Sequence, residues 1–236
     1  MIVTYTGRGL GVATLLRQAF MELKGEFVPV LRPEEVVRSY LPFREGSEEA
    51  LVFGLGSPSD TLRVVEALKI MGYEIKLFRP PLEGLPGELA ARLEVYPAEE
   101  LPGDLVSSSL EAGIRALKMA LEGSSSPRAA RLLEDLNDLR TEVRLPENFS
   151  AIVYTNSMEL AALTLSEVLD KPAHHFQHFK GRGALVLTTT SEEHWVRGLA
   201  LKGKVISVPY DPLVAPLSLL YSLREELKPY TKVGNA

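Results

Sequence analysis

Three of the four histidines, His174, His175 and His178, fall within five residues and are followed by Lys180 and Arg182. An imidazole gains and loses a proton near neutral pH, and lysine or arginine holds anions such as phosphate. The segment therefore has the residue types for acid or base work beside an anion anchor. His174 and His178 also have the i,i+4 spacing of metal ligands, but no clear third ligand accompanies them, so no metal is expected. The same residues are compatible with a polar loop or a subunit contact. Glu159, near the start of an apolar helical pattern, is a further base candidate. As a first-turn acid it would equally complement a helix dipole.

Two glycine-containing loops could bind an anion. The first, Gly7-Arg8-Gly9-Leu10-Gly11, reads G-x-G-x-G rather than the G-x-G-x-x-G of dinucleotide sites. Arg32 stands where such sites need an acid near the end of the second strand. In the second loop, Gly56-Ser57-Pro58-Ser59-Asp60-Thr61, hydroxyls and backbone N–H groups could cradle a phosphate. No lysine follows as in a P-loop, which argues against nucleoside triphosphate hydrolysis. The candidate phosphate-binding residues are thus Gly7, Arg8, Gly9, Gly56, Ser57, Ser59 and Thr61, with Lys180 and Arg182. The plainer reading is glycine for tight turns and serine for helix capping.

The elements that must position these residues alternate. Strands are expected at Ile2–Thr6, Phe27–Leu31, Ala50–Leu55 and Glu74–Phe78, with helices between them, one of them short near Val36. Such a pattern makes a parallel sheet covered by helices. Pro80–Gly103 is read as a crossing with a short helix at Leu85–Leu93 and a short strand at Leu93–Tyr96. Helices follow at Leu105–Leu121 and Arg128–Leu139. The order then restarts, with strands at Ala151–Thr155, Gly183–Thr188 and Lys204–Val208 and helices at Met158–Leu169 and Val214–Leu227. At an offset of 150, Val3, Leu10, Thr14 and Leu15 match Val153, Leu160, Thr164 and Leu165. Two related halves are expected, 1–125 and 126–236.

Composition narrows the function classes. The 236 residues are 45% hydrophobic and 24% charged, which fits a globular chain and not a disordered one. With no cysteine there is no disulfide scaffold, thiolate metal site or cysteine nucleophile. A net charge of −5 supplies no bulk basic field for nucleic acid. No apolar run approaches the roughly 20 residues of a membrane span, and the opening Met1-Ile2-Val3 shows no leader pattern, so a cytoplasmic location is expected. Glu outnumbers Asp 25 to 6, with two Gln and four Asn, a composition that fits a hyperthermophile source.

The stretch Ala50-Leu51-Val52-Phe53-Gly54-Leu55-Gly56-Ser57-Pro58-Ser59-Asp60-Thr61-Leu62, followed by a helix, Met71-Gly72-Tyr73 and a new strand, resembles the central unit of SIS (sugar isomerase) domains. That family runs apolar strand, S-x-S-G-x-T loop, helix, glycine and strand. Thr6-Gly7-Arg8-Gly9 is similar to its first glycine turn, and the duplicated plan resembles the bifunctional phosphoglucose/phosphomannose isomerases. Aligned on Asp60-Thr61-Leu62, Phe53 and Leu55 take the two serine positions. Shifting the loop restores Ser57 and Ser59 there, with Asp60 in place of the glycine. The family's glutamate base lies in an E-L-x-H motif, whereas His174–Gly183 holds no carboxylate, and the family's C-terminal helix with its catalytic lysine is not expected in the few residues after Pro229.

The resemblance implies an α/β fold of two SIS-like halves, each a parallel sheet flanked by helices in three α/β/α layers. It implies a phosphosugar ligand, no cofactor, a homodimer, and aldose–ketose isomerisation through a cis-enediol. His174, His175, His178 or Glu159 would be the acid or base. The alternatives are a sugar-phosphate-binding or regulatory protein without turnover, and a structural or assembly protein whose SIS-derived site is empty.

Overall fold

A computed structural model describes residues 1–40, 49–197 and 203–230. The first sheet contains β1 (Ile2–Gly7), β2 (Val30–Leu31), β3 (Glu49–Leu55), β4 (Glu74–Arg79) and β5 (Ala98–Glu100). All pairs are parallel, in the order β2-β1-β3-β4-β5. Around it lie α1 (Gly9–Lys24), a π-helical turn (Glu35–Tyr40), α2 (Pro58–Ile70) and α3 (Gly87–Glu94). Two helices, α4 (Leu105–Leu121) and α5 (Pro127–Asn137), lead to the second sheet. It contains β6 (Ala151–Tyr154), β7 (Ala173–His175), β8 (Ala184–Thr189) and β9 (Lys204–Val208), parallel in the order β7-β6-β8-β9. Its helices are α6 (Glu159–Leu169, after a 3-10 turn at Asn156–Met158), α7 (Glu193–Arg197) and α8 (Ala215–Leu227).

The first four strands of each half share one order. Backbone pairing also sets the repeat, and it moves the match by one residue from the offset of 150. The Val3 N–H donates to the Pro29 carbonyl, and the Ile152 N–H donates to the Pro172 carbonyl. Tyr5-Thr6 thus stands over Tyr154-Thr155, and Arg32, just past β2, stands over His175. A one-residue change of strand register turns every side chain to the other face, so the pairing decides this question and chance identities do not.

Helices α1, α4, α6 and α8 form one layer between the two sheets. Their buried faces (Leu15, Leu16, Leu117, Leu165, Leu220) join Val3 and Phe53 of the first sheet and Ile152 and Leu187 of the second in one core. The outer face of the first sheet is closed by the π turn, α2 and α3 through Val36, Leu62, Val65, Leu68 and Leu93. Val196 of α7 covers Val153, Ala184 and Val186 on the outside of the second. Both halves are therefore α/β/α layers sharing the central helices. Among the described residues, no helix is long and apolar enough to cross a membrane.

Three expectations change. The strand at Phe27–Leu31 is confined to Val30–Leu31, because Pro29 and Pro33 on either side have no N–H for a ladder. The strand read at Leu93–Tyr96 forms later, at Ala98–Glu100. Leu93 is instead buried on α3, and the strand begins only past Pro97. The histidine segment, where no strand was expected, begins with one, β7, whose His175 pairs with Tyr154.

Candidate functional site

In open parallel sheets, ligands meet the carboxyl ends of the strands. In the second half, β6 ends in Tyr154 and β7 in His175, and Glu159 opens α6 just beyond. These side chains face α1 of the first half across a cleft of about 450 Å³, lined also by Thr14, Arg17, Gln18, Met21, Glu22 and Asn156. Gly11 makes the approach possible. A Cβ there would lie 2.6 Å from the Leu160 Cα, so only glycine lets α1 cross α6 so closely. Gly11 and Leu160 are counterparts in the repeat. The Arg8–Glu167 ion pair at one end and the placing of Thr14 beside Glu159 on one cleft at the other show the two helices running antiparallel through this crossing.

The cleft has acid–base character. Burial pushes the Glu159 carboxyl above its ordinary range, opposed by a hydrogen bond from Thr14 and by the charge of Arg17. The Tyr154 phenol is raised by burial and by Glu159. His175 shifts the other way. Burial lowers its proton affinity first and the neighbouring His178 adds to this, while Glu192 opposes both. Its Nε2–H donates to Asn156 Oδ1 at 2.6 Å, which leaves Nδ1 of the neutral ring free to accept a proton.

Behind this edge lies a buried carboxylate that sequence reading passed over. Glu192 Oε2 accepts from Thr155 Oγ1 (2.6 Å), Thr189 Oγ1 (3.1 Å) and Ser157 Oγ. Glu192 is only 7% exposed and ties the ends of β6 and β8 to the turn that carries Asn156. The signal in the sequence was the hydroxyl run Thr188-Thr189-Thr190-Ser191 ending in an acid.

The remaining candidates are dispersed. His174 alternates to the opposite face from His175 and lies against Phe179, with ring centroids 5.6 Å apart. His178 stays beside His175, at 5.9 Å between centroids. Ser150, which precedes β6, donates its hydroxyl to the carbonyls of Arg182 and Gly183, placing Arg182 at the sheet end opposite His175. Lys180 is exposed two residues earlier. Among the described residues, no cluster of three or more His, Asp or Glu side chains has a metal-binding arrangement.

The two glycine loops of the first half pack on each other. A Cβ on Gly7 would lie 2.6 Å from the Gly56 Cα, and one on Gly9 would lie 2.4 Å from the Phe53 carbonyl oxygen. Thr6 Oγ1 receives the Gly56 N–H and meets Thr61 Oγ1 at 2.9 Å, while the Thr61 hydroxyl also donates to the Ser57 carbonyl. The Ser57 and Ser59 hydroxyls bond each other at 2.7 Å. The Arg8 guanidinium, 8% exposed, binds Glu167 (2.8 Å) and Ser108 Oγ (3.3 Å). A second cavity of about 500 Å³ opens at the ends of β1 and β2.

No protein-family model matches the sequence, and neither does any curated protein. Solved structures do match. Glucosamine-6-phosphate deaminase from Thermotoga maritima superposes with a TM-score of 0.66 at 15% identity, covering 97% of this chain and 85% of that one. The C-terminal domain of glucosamine-fructose-6-phosphate aminotransferase from Francisella tularensis gives 0.63 at 11% identity, over 98% and 83%. Tagatose-6-phosphate ketose/aldose isomerase from Escherichia coli gives 0.58 at 14% identity, over 100% and 83%. The fold is SIS-like. At these identities the likeness is one of architecture, and the two SIS-like halves carry their own choice of side chains at each strand end.

Proposed function

We propose that the chain binds a phosphosugar and isomerises it between aldose and ketose, in the manner of phosphoglucose/phosphomannose isomerases. One observation carries this reading. A half-buried carboxyl with raised proton affinity, Glu159, lines an open cleft together with a histidine of lowered proton affinity, His175. A carboxylate of raised proton affinity is a stronger base, and a histidine of lowered proton affinity stays neutral and can relay a proton. Two of the solved structures that share the fold, the glucosamine-6-phosphate deaminase and the tagatose-6-phosphate ketose/aldose isomerase, support the substrate class.

In this reaction Glu159 takes the proton from the carbon beside the carbonyl. The electron pair forms a cis-enediol, and the proton returns to the adjacent carbon. His175, accepting at Nδ1, carries the proton between the two sugar oxygens, and Asn156 holds its ring. Arg17 stabilises the ionised carboxylate. The net change moves two hydrogens within one molecule and needs no oxidant. Incubation with fructose 6-phosphate in deuterium oxide at elevated temperature tests it. Glucose or mannose 6-phosphate carrying deuterium at C2 is expected, and Glu159→Gln should abolish it. No product and no exchange would reject the reaction.

The alternative, sugar-phosphate binding without turnover, is favoured by the first half. In its Gly56–Thr61 loop, Thr61 is held by Thr6 and the Ser57 carbonyl, and Ser57 and Ser59 bond each other. It predicts ligand-dependent thermal stabilisation with no isotope exchange.

A further inference from the structure

We infer that the anion site of this chain is the arginine-lined cavity at the ends of β1 and β2, formed by Arg32, Arg38 and Arg63, and that it takes the phosphate of a sugar phosphate. The phosphosugar identity rests on the reading above; the anion site does not. The cavity measures about 500 Å³ and is walled by Tyr5, Thr6 and Gly7, the π turn and the first turns of α2.

The glycine loops pack tightly on each other: Gly7 and Gly56 are in backbone contact, Thr6 pairs with Thr61, and the exposed Ser57 and Ser59 hydroxyls share one hydrogen bond. Arg8 is buried and bound to Glu167 and Ser108, so it cannot turn to a ligand without breaking both contacts. Arg32, Arg38 and Arg63, by contrast, are exposed at the cavity, and a guanidinium is the side chain best shaped for phosphate oxygens.

The repeat adds a functional logic. Arg32 occupies the place of His175, and Tyr5 the place of Tyr154. One half therefore presents a fixed positive charge where the other presents a proton carrier. Two acids also face this cavity, Glu34 and Asp60. Asp60 lies 3.7 Å from Arg63, both side chains being exposed, so it is a weak internal competitor that a dianionic phosphate displaces.

The test is calorimetric titration of the full chain with inorganic phosphate, fructose 6-phosphate and fructose. Phosphate and fructose 6-phosphate should bind and fructose should not. Arg32→Gln and Arg63→Gln should each weaken phosphate about tenfold, the loss of one charge-assisted hydrogen bond. Asp60→Asn should tighten it. All three positions are exposed, and unchanged melting curves would show that the variants fold. Phosphate binding that ignores the arginine variants, or that is lost in Ser57→Ala/Ser59→Ala instead, overturns the site, as does a wild-type chain that binds neither phosphate nor fructose 6-phosphate. Arginine-dependent phosphate binding without isotope exchange upholds the site and rejects the isomerase. Turnover whose KM is indifferent to Arg32 and Arg63 does the reverse.

Discussion

Replacing Glu192 gives the sharpest test of how the second half is held. Three buried hydroxyls, of Thr155, Ser157 and Thr189, converge on its single Oε2 atom. Hydrogen bonds to a charged group contribute about 1.5–3 kcal/mol each, and a buried donor left without an acceptor costs about 1–3 kcal/mol. Against this stands the desolvation of the carboxylate, several kcal/mol, which Glu192→Ala relieves. The balance is a loss of about 3 kcal/mol. At roughly 2–4 °C per kcal/mol for a chain of this size, Tm should fall by about 6–12 °C. Glu192→Gln keeps a neutral acceptor oxygen for the same hydroxyls and should lose only about 1 kcal/mol. Differential scanning calorimetry at pH 7 reads both. In NMR spectra, Glu192→Gln should also lower the proton affinity of His175 further, since the Glu192 charge raises it. If the two variants melt together, the hydroxyl cage does not hold the turn. If Glu192→Ala melts higher than the wild type, burial of the charge outweighs its bonds and the argument fails.

Other predictions follow from single contacts. Glu159 has a folded pKa above its unfolded value of 4.5, so the stability it contributes is present below about pH 4.5 and is lost as pH rises through the folded value. Glu159→Gln should therefore be more stable than the wild type at pH 7 and comparable at pH 4, by urea denaturation at both. His175 is depressed below 6.5, so its contribution holds above that pH and is lost as pH falls through the folded value; His178→Gln should raise its midpoint in an NMR titration. Gly11→Ala drives a Cβ against the Leu160 backbone and should cost about 1–3 kcal/mol despite the better helix propensity of alanine. Gly87→Ala, at the start of α3 with open space around it, should be neutral or stabilising in the same thermal assay.

The sequence by itself determined the architecture. Continuous apolar runs such as Ala50–Leu55 and the helical spacing of Leu105–Leu121 are local signals, and both elements formed where they were read. The duplication was also legible, but its phase was not, because four scattered identities cannot choose between neighbouring registers. Backbone hydrogen bonds choose, and they set Tyr5-Thr6 over Tyr154-Thr155. The candidate site divided along the same line. Glu159 and His175 were readable as acid and base by residue type. That they share a cleft with Thr14 and Arg17, from more than 130 residues earlier in the chain, depends on one helix crossing at Gly11. Likewise, nothing in the string distinguishes buried Arg8, held by Glu167, from open Arg32. Charge and side-chain type are written locally, whereas a partner across the fold decides whether a charge is spent on structure or left for a ligand.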